Sequence, residues 1–341
     1  MRVLVVLSLL ATLVGTSAFA GDPYPFKRSD GKWGYVNDDH CWVIAPQFEG
    51  AEIFSQNLAP VDVGGKWGYI DNVGAMAVNP QFDAAREFSD GMAPVMLGKK
   101  WGFIDVTGAM AINPQFDHAW GFSEGMSPVE VGGKWGYINL NGTLSISQQF
   151  DDVRQFSQGV AAINIGEKWG YIDVRGKITI NPQFDGPKFA CPWDGGSCYI
   201  DGASEFQSGL AAASLNKKWV VIDMDGNVAF NQSFDLAYGF TKSLLAAVEI
   251  GDRWGYIDTL GAVRISPKFG WAGSFAEGFA PVELNKKYGY IDTLGSIVIE
   301  PQFDYAGTFT NGRASVKIGE GYYVLDKSGH ILLDPTCDLV P

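Results

Sequence analysis

Three sets of residues in this 341-residue chain could do chemistry. Histidine is the commonest general base near neutral pH and a frequent metal ligand, but the chain has only His40, His118 and His330. They lie far apart, with no His-x-x-x-His pair and no Cys-plus-His cluster of the kind that holds zinc. A serine, threonine or cysteine nucleophile of the commonest kind would need one of these three beside it, and no Gly-rich loop has a phosphate-binding pattern. The second set is "DMDGN", Asp223 to Asn227. It places oxygen ligands at alternate positions like the start of a calcium loop, yet lacks the Glu at the far bidentate position.

The third set is a column of acids: Asp71, Asp105, Asp173, Asp223, Asp258, Asp292 and Asp326, each three residues before a glycine. Asp at the first place of a type I turn accepts backbone N–H bonds, and Gly at the fourth place permits a positive φ. Asn139 holds the same place in "NLNG". An amide could not replace a catalytic or metal-ligating carboxylate so freely, so the column reads as turn chemistry. No catalytic residue, cofactor or metal is expected.

The elements that carry these turns repeat. Trp33, Trp67, Trp101, Trp135 and Trp169 stand 34 residues apart; Trp219 follows after 50, Trp254 after 35, and Tyr288 and Tyr322 take the place at further steps of 34. These are nine repeats, and a period of this size marks a stack of units that bury their apolar faces on their neighbours. In "SPVEVGGKWGYINLNGTLSISQQFD" the apolar residues alternate through Val129 and Val131, the chain turns at Gly132-Gly133 and runs through Trp135 to Ile138, then turns at Asn141-Gly142 and alternates again at Leu144 and Ile146. The reading is three short strands per unit, all-β. "KWGYI" is apolar on both sides, as in a strand covered on both faces, and a Gly beside the indole admits a close neighbour. Buried Trp residues are expected to anchor the core. "NPQFD", as at Asn79 to Asp83, ends the third strand with a proline and plugs the core with a phenylalanine.

"KWGYID…NPQF" at this spacing resembles the WG-repeat family of bacterial proteins, over roughly residues 25 to 341. The resemblance implies a repeat scaffold, often exported or at the surface, and implies no catalytic residues. The sequence departs from the pattern at Trp219-Val220-Val221, which loses Gly and Tyr, and at Tyr322-Tyr323 in the last unit.

Residues 1–20 read as a secretory signal peptide: Met1-Arg2, the apolar run Val3 to Val14, and small residues at Ala18-Phe19-Ala20. The remaining 21–341 read as a single domain, exported to the periplasm or beyond, with no transmembrane segment. Net charge of -13 opposes phosphate backbones, so nucleic acid is not an expected partner. Four cysteines admit three pairings. Cys191 and Cys198 flank an Asp-Gly-Gly turn and favour a local bridge, which leaves Cys41 for Cys337. That second bridge needs Cα atoms within about 7 Å, and so would close the array as a propeller-like ring; an open β-solenoid with two thiols is the alternative.

Periodicity breaks once, at the sixteen-residue insert 186–201, "GPKFACPWDGGSCYID". Inserts in repeat arrays project from one face, frequently the binding face. Phe189, Trp193 and Tyr199 around the stapled turn, with Asp194 as polar partner, are the candidate partner-binding residues. The expected function is a non-catalytic scaffold that recognises a protein partner; the alternatives are a glycan-binding module and, less supported, an enzyme of unrecognised site.

Overall fold

The computed structural model describes residues 23–37, 39–186, 202–319 and 321–332. Among these residues nine antiparallel sheets follow one another in chain order. Seven have four strands; in one, Gly50–Ala51, Leu58–Val63, Lys66–Asp71 and Met76–Phe82 lie side by side in that order. The sequence reading of three strands per unit missed the first of these. It pairs only Gly50 with Asp62 and Ala51 with Val61, and two residues are too few to show an alternation.

Turn chemistry sets the register. Leu58–Val63 and Lys66–Asp71 pair residue for residue up to Val63 and Lys66, joined by Gly64 and Gly65 at φ 63° and 79°, the two positive angles that a tight hairpin requires. Asp71 Oδ1 accepts from the N–H groups of Val73 at 3.1 Å and Ala75 at 2.8 Å. Asn139 Oδ1 accepts from Asn141 and Thr143 at 3.0 Å each, so amide and carboxylate do the same work. Asp223 Oδ1 likewise accepts from Asp225 and Asn227.

The repeated Trp-Gly pair has a steric cause. Trp67 pairs with Phe82 and Tyr69 with Val78, so the third long strand carries a bulge opposite Gly68. A Cβ on Gly68 would sit 2.5 Å from the Val78 carbonyl oxygen and 2.8 Å from the Pro80 nitrogen. Only glycine fits. Where Val220 takes this place, the sheet keeps two strands, Leu210–Leu215 and Lys218–Asp223, and the third is reduced to the isolated bridges Trp219 to Phe234 and Ile222 to Val228.

Apolar clusters lie between consecutive sheets; one joins Leu58, Tyr69, Val78 and Phe82 to Phe88, Val95 and Ile104 of the next. The tyrosine two residues after the Trp is the deepest anchor: Tyr35, Tyr69, Tyr137, Tyr171, Tyr256 and Tyr290 are fully buried. Their hydroxyls remain satisfied by donating to a backbone carbonyl of the next unit, as Tyr69 does to Arg86 at 2.8 Å. The indoles flank this core. Trp101, Trp169, Trp219 and Trp254 are buried, whereas Trp33, Trp67 and Trp135 are half-buried.

First and last sheets meet. Tyr24, Phe26, Val36 and Trp42 form one cluster on which Val324 and Leu332 pack, and the Arg313 guanidinium lies 4.7 Å from the Tyr24 ring centroid. The array therefore closes into a propeller-like ring and is not an open solenoid.

Candidate recognition row and groove

Apart from Gly186, the insert lies outside the described residues, and with it the candidates Phe189, Trp193, Asp194 and Tyr199, as do Cys191, Cys198 and Cys337. The described residues contain no free cysteine. His40 occupies its turn at φ 58° with Nδ1 3.0 Å from the Tyr24 hydroxyl. His118 stacks on Trp135, and His330 Nδ1 is 2.8 Å from Ser328 Oγ. The three histidines thus sit in three separate structural settings.

The acid of "QFD" is a linker between units. Asp83 accepts from Lys66 Nζ at 2.5 Å through one oxygen and from the Gly98 N–H at 2.7 Å through the other, capping the next hairpin. Asp117 does the same with Lys100 and Gly132, and Asp304 with Lys287 and Gly319. Lysine hydrogen bonds hold these carboxyls below their ordinary range. This is repeat architecture, present around the ring.

A different row breaks the repetition. Just after each of the seven two-residue strands that open a four-stranded sheet, and after the isolated bridge at Ala203, two positions change identity from unit to unit. The first carries Glu52, Arg86, Trp120, Arg154, Ser204, Tyr238, Gly273 and Gly307; the second carries Ile53, Glu87, Gly121, Gln155, Glu205, Gly239, Ser274 and Thr308. First-position side chains cover the indole column: Arg86 lies 5.1 Å from the Trp101 centroid, Arg154 5.2 Å from Trp169, and Tyr238 stacks on Trp254 at 5.0 Å. All the ionisable carboxylates and guanidiniums of the row fall on the stretch from Glu52 to Glu205, and the stretch from Tyr238 to Thr308 carries none.

Glu52 and Glu205 are reached by solvent, yet surrounding protein raises both carboxyls above their ordinary range. Burial is the first cause for both; for Glu52 the nearby Glu87 charge adds to the rise and the Arg86 charge opposes it, and for Glu205 the Arg154 charge opposes it. Here a groove of about 350 Å³ is lined by Arg86, Glu87, Ser89, Trp120, Gly121 and Gln155. The room exists because Gly121 has no side chain: a Cβ there would meet Ser89 Oγ at 2.6 Å.

The sequence model of the WG containing repeat matches residues 33–67, 67–101, 101–135, 135–169, 169–186, 197–219, 254–288 and 288–322. The chain belongs to the WG-repeat family. No curated protein matches it. Among solved structures, the WG-repeat chain is similar to the crystal structure of a eukaryotic initiation factor, at TM-score 0.61 and 11% identity over 91% of this chain and 94% of that one. The structure of Hsv2p from Kluyveromyces lactis matches at TM-score 0.44 and 8% identity, over 84% and 98%. At these identities the first likeness speaks to the fold alone.

Among the described residues no helix is long and apolar enough to cross a membrane. The WG-repeat pattern also explains why the sequence reading passed over the row. Its residues sit between two strong signals, "QFD" and the Ser-x-Gly hairpin, and change from unit to unit. That variability against a constant background was the available signal.

Proposed function

We propose that this WG-repeat protein is an exported, non-catalytic recognition scaffold, a ring of nine blades that binds a protein partner in the bacterial envelope or outside the cell. The observation that carries this reading is the one-sided row: Glu52, Arg86, Glu87, Trp120, Arg154, Gln155 and Glu205 fall on one stretch, part of which lines a groove, while the equivalent positions from Tyr238 to Thr308 carry no charge. The fold repeats its Lys-Asp links and turn caps without needing this asymmetry. Desolvated charged and aromatic side chains in one patch suit polypeptide recognition. Residues 1–20 would direct export, and the insert 186–201 is the second candidate contact.

A glycan reading ranks below this one. Sugar rings need open aromatic faces, and Trp101, Trp169, Trp219 and Trp254 are buried, two of the four beneath arginines.

Ring closure would be covalent as well as packed. Val324 and Leu332 pack on the cluster that includes Trp42, the neighbour of Cys41, and the chain reaches Cys337 five residues after Leu332. A Cys41–Cys337 bridge, with Cys191–Cys198 local, fits this approach of the ends.

The test is a crosslinking pull-down from envelope and culture-medium fractions with three proteins of equal circular dichroism: the mature chain, the chain lacking 186–201, and a Glu87→Gln/Glu205→Gln variant. Loss of a partner in the double variant places the contact on the row. Loss only in the deletion moves it to the insert. No capture by any of the three sinks the protein-recognition reading.

A further inference from the structure

We infer that the groove over Gly121 takes a basic side chain, arginine or lysine, of a partner polypeptide. This rests on the recognition reading above and names its ligand chemistry.

The groove offers acceptors. Gln155 Nε2 donates to the Gly121 carbonyl at 2.9 Å, which fixes the amide and leaves Oε1 as the group free to receive a proton donor. Ser89 Oγ is buried with no hydrogen-bond partner. Elsewhere this serine is spent: Ser55 donates to the Phe88 carbonyl at 2.6 Å, Ser123 to Phe156 at 2.8 Å and Ser157 to Phe206 at 2.7 Å. The bond missing at Ser89 coincides with the groove. An orphaned hydroxyl there is a cost that a bound donor would offset.

Charge points the same way. Glu87 is exposed and makes no ion pair or hydrogen bond among the described residues, and Glu52 stands close enough to repel it. A cation would relieve both carboxylates. Arg86 borders the groove and its charge partly offsets Glu52, but its guanidinium lies over the Trp101 ring and makes no ion pair with Glu87. Half-buried Trp120 supplies an aromatic wall, a second attraction for guanidinium or ammonium. A carboxylate side chain would meet the same acceptors without a donor, and a neutral donor would lack the charge that Glu87 and Glu52 favour. Glu87, Gln155 Oε1 and Trp120 thus favour a multi-donor cation, and arginine offers five N–H groups in a plane to these acceptors.

The experiment titrates the mature chain with a capped hexapeptide bearing one arginine, and with otherwise identical peptides bearing lysine, citrulline or glutamate. Binding is read by calorimetry and by indole fluorescence. The arginine peptide is expected to bind, with citrulline weaker by about tenfold for loss of the charge-assisted bonds. Glu87→Gln should weaken it by a similar factor, and Gly121→Val, which fills the groove, should abolish it. Asp225→Asn removes the same charge from an exposed turn remote in sequence from the groove and should leave binding unchanged. Equal binding of citrulline, equal loss in Glu87→Gln and Asp225→Asn, or no binding of the arginine peptide would each overturn the inference. If Gly121→Val still captures the pull-down partner, recognition stands and the groove is not its contact.

Discussion

Ser127 Oγ donates to the Trp120 carbonyl at 2.8 Å. In six other units a buried tyrosine hydroxyl occupies that role, as Tyr137 does for Arg154 at 2.7 Å and Tyr290 for Gly307 at 2.8 Å. In this unit the tyrosine is Phe103, and Ser127 stands where alanine stands at Ala59, Ala93 and Ala161. Two sequence departures thus answer one another across a blade junction. Ser127→Ala should lower stability by about 1 kcal/mol by leaving the carbonyl unpaired, and adding Phe103→Tyr should restore most of it. Denaturant midpoints of the two single variants and the double variant decide; an additive cycle would refute the exchange.

Gly68→Ala is expected to be among the most damaging single changes. The new methyl would press on backbone atoms of the bulged strand at 2.5 Å and 2.8 Å, and overpacking against backbone costs about 3 kcal/mol. Val220→Ala, where the third strand is already lost from regular pairing, should cost about 1 kcal/mol. Equal shifts in thermal midpoint would show that the bulge does not set the Trp-Gly requirement.

Acid should unfold the ring through its linking carboxylates. Asp83, Asp117, Asp151, Asp235 and Asp304 have carboxyls depressed below 3.8, first by their lysines and next by the hairpin N–H groups. A depressed folded pKa means that this contribution is fully present above the unfolded value and is lost as pH falls through the folded one. Glu52 and Glu205 act oppositely, since burial raises them: folding binds their protons more tightly, so their contribution grows as pH falls toward their raised pKa. Stability measured by denaturant titration should therefore hold or rise slightly as pH falls toward about 5, then drop below about 4. A monotonic fall from pH 8 would exclude the assignment.

Reduction should open the clasp. Non-reducing peptide mapping should recover Cys41 joined to Cys337 and Cys191 to Cys198. Cys41→Ser should lower the thermal midpoint, because a cross-link spanning nearly the whole chain contributes roughly 5 kcal/mol by loop entropy before strain. Recovery of Cys41 with Cys191 or Cys198 would refute the pairing.

The sequence by itself determined the three long strands of the regular unit and the turns that join them, but not the two-residue strand that opens most sheets. Repetition at 34 residues, Gly64-Gly65 and the Asp71 column fix local dihedral angles, and local dihedrals are legible from adjacent residues. It also marked the failing unit, since Val220 cannot take the place that the bulge reserves for glycine. Tertiary structure alone decided how units meet. That Tyr69 rather than Trp67 is the deepest anchor, that Asp83 ties Lys66 to the turn at Gly98, and that Tyr24 packs beside Leu332 all depend on contacts across sheets, which no window of one repeat contains. The groove is of the same kind. Arg86, Glu87, Trp120 and Gln155 belong to three consecutive units about 34 residues apart, and the packing of consecutive sheets brings them to one groove.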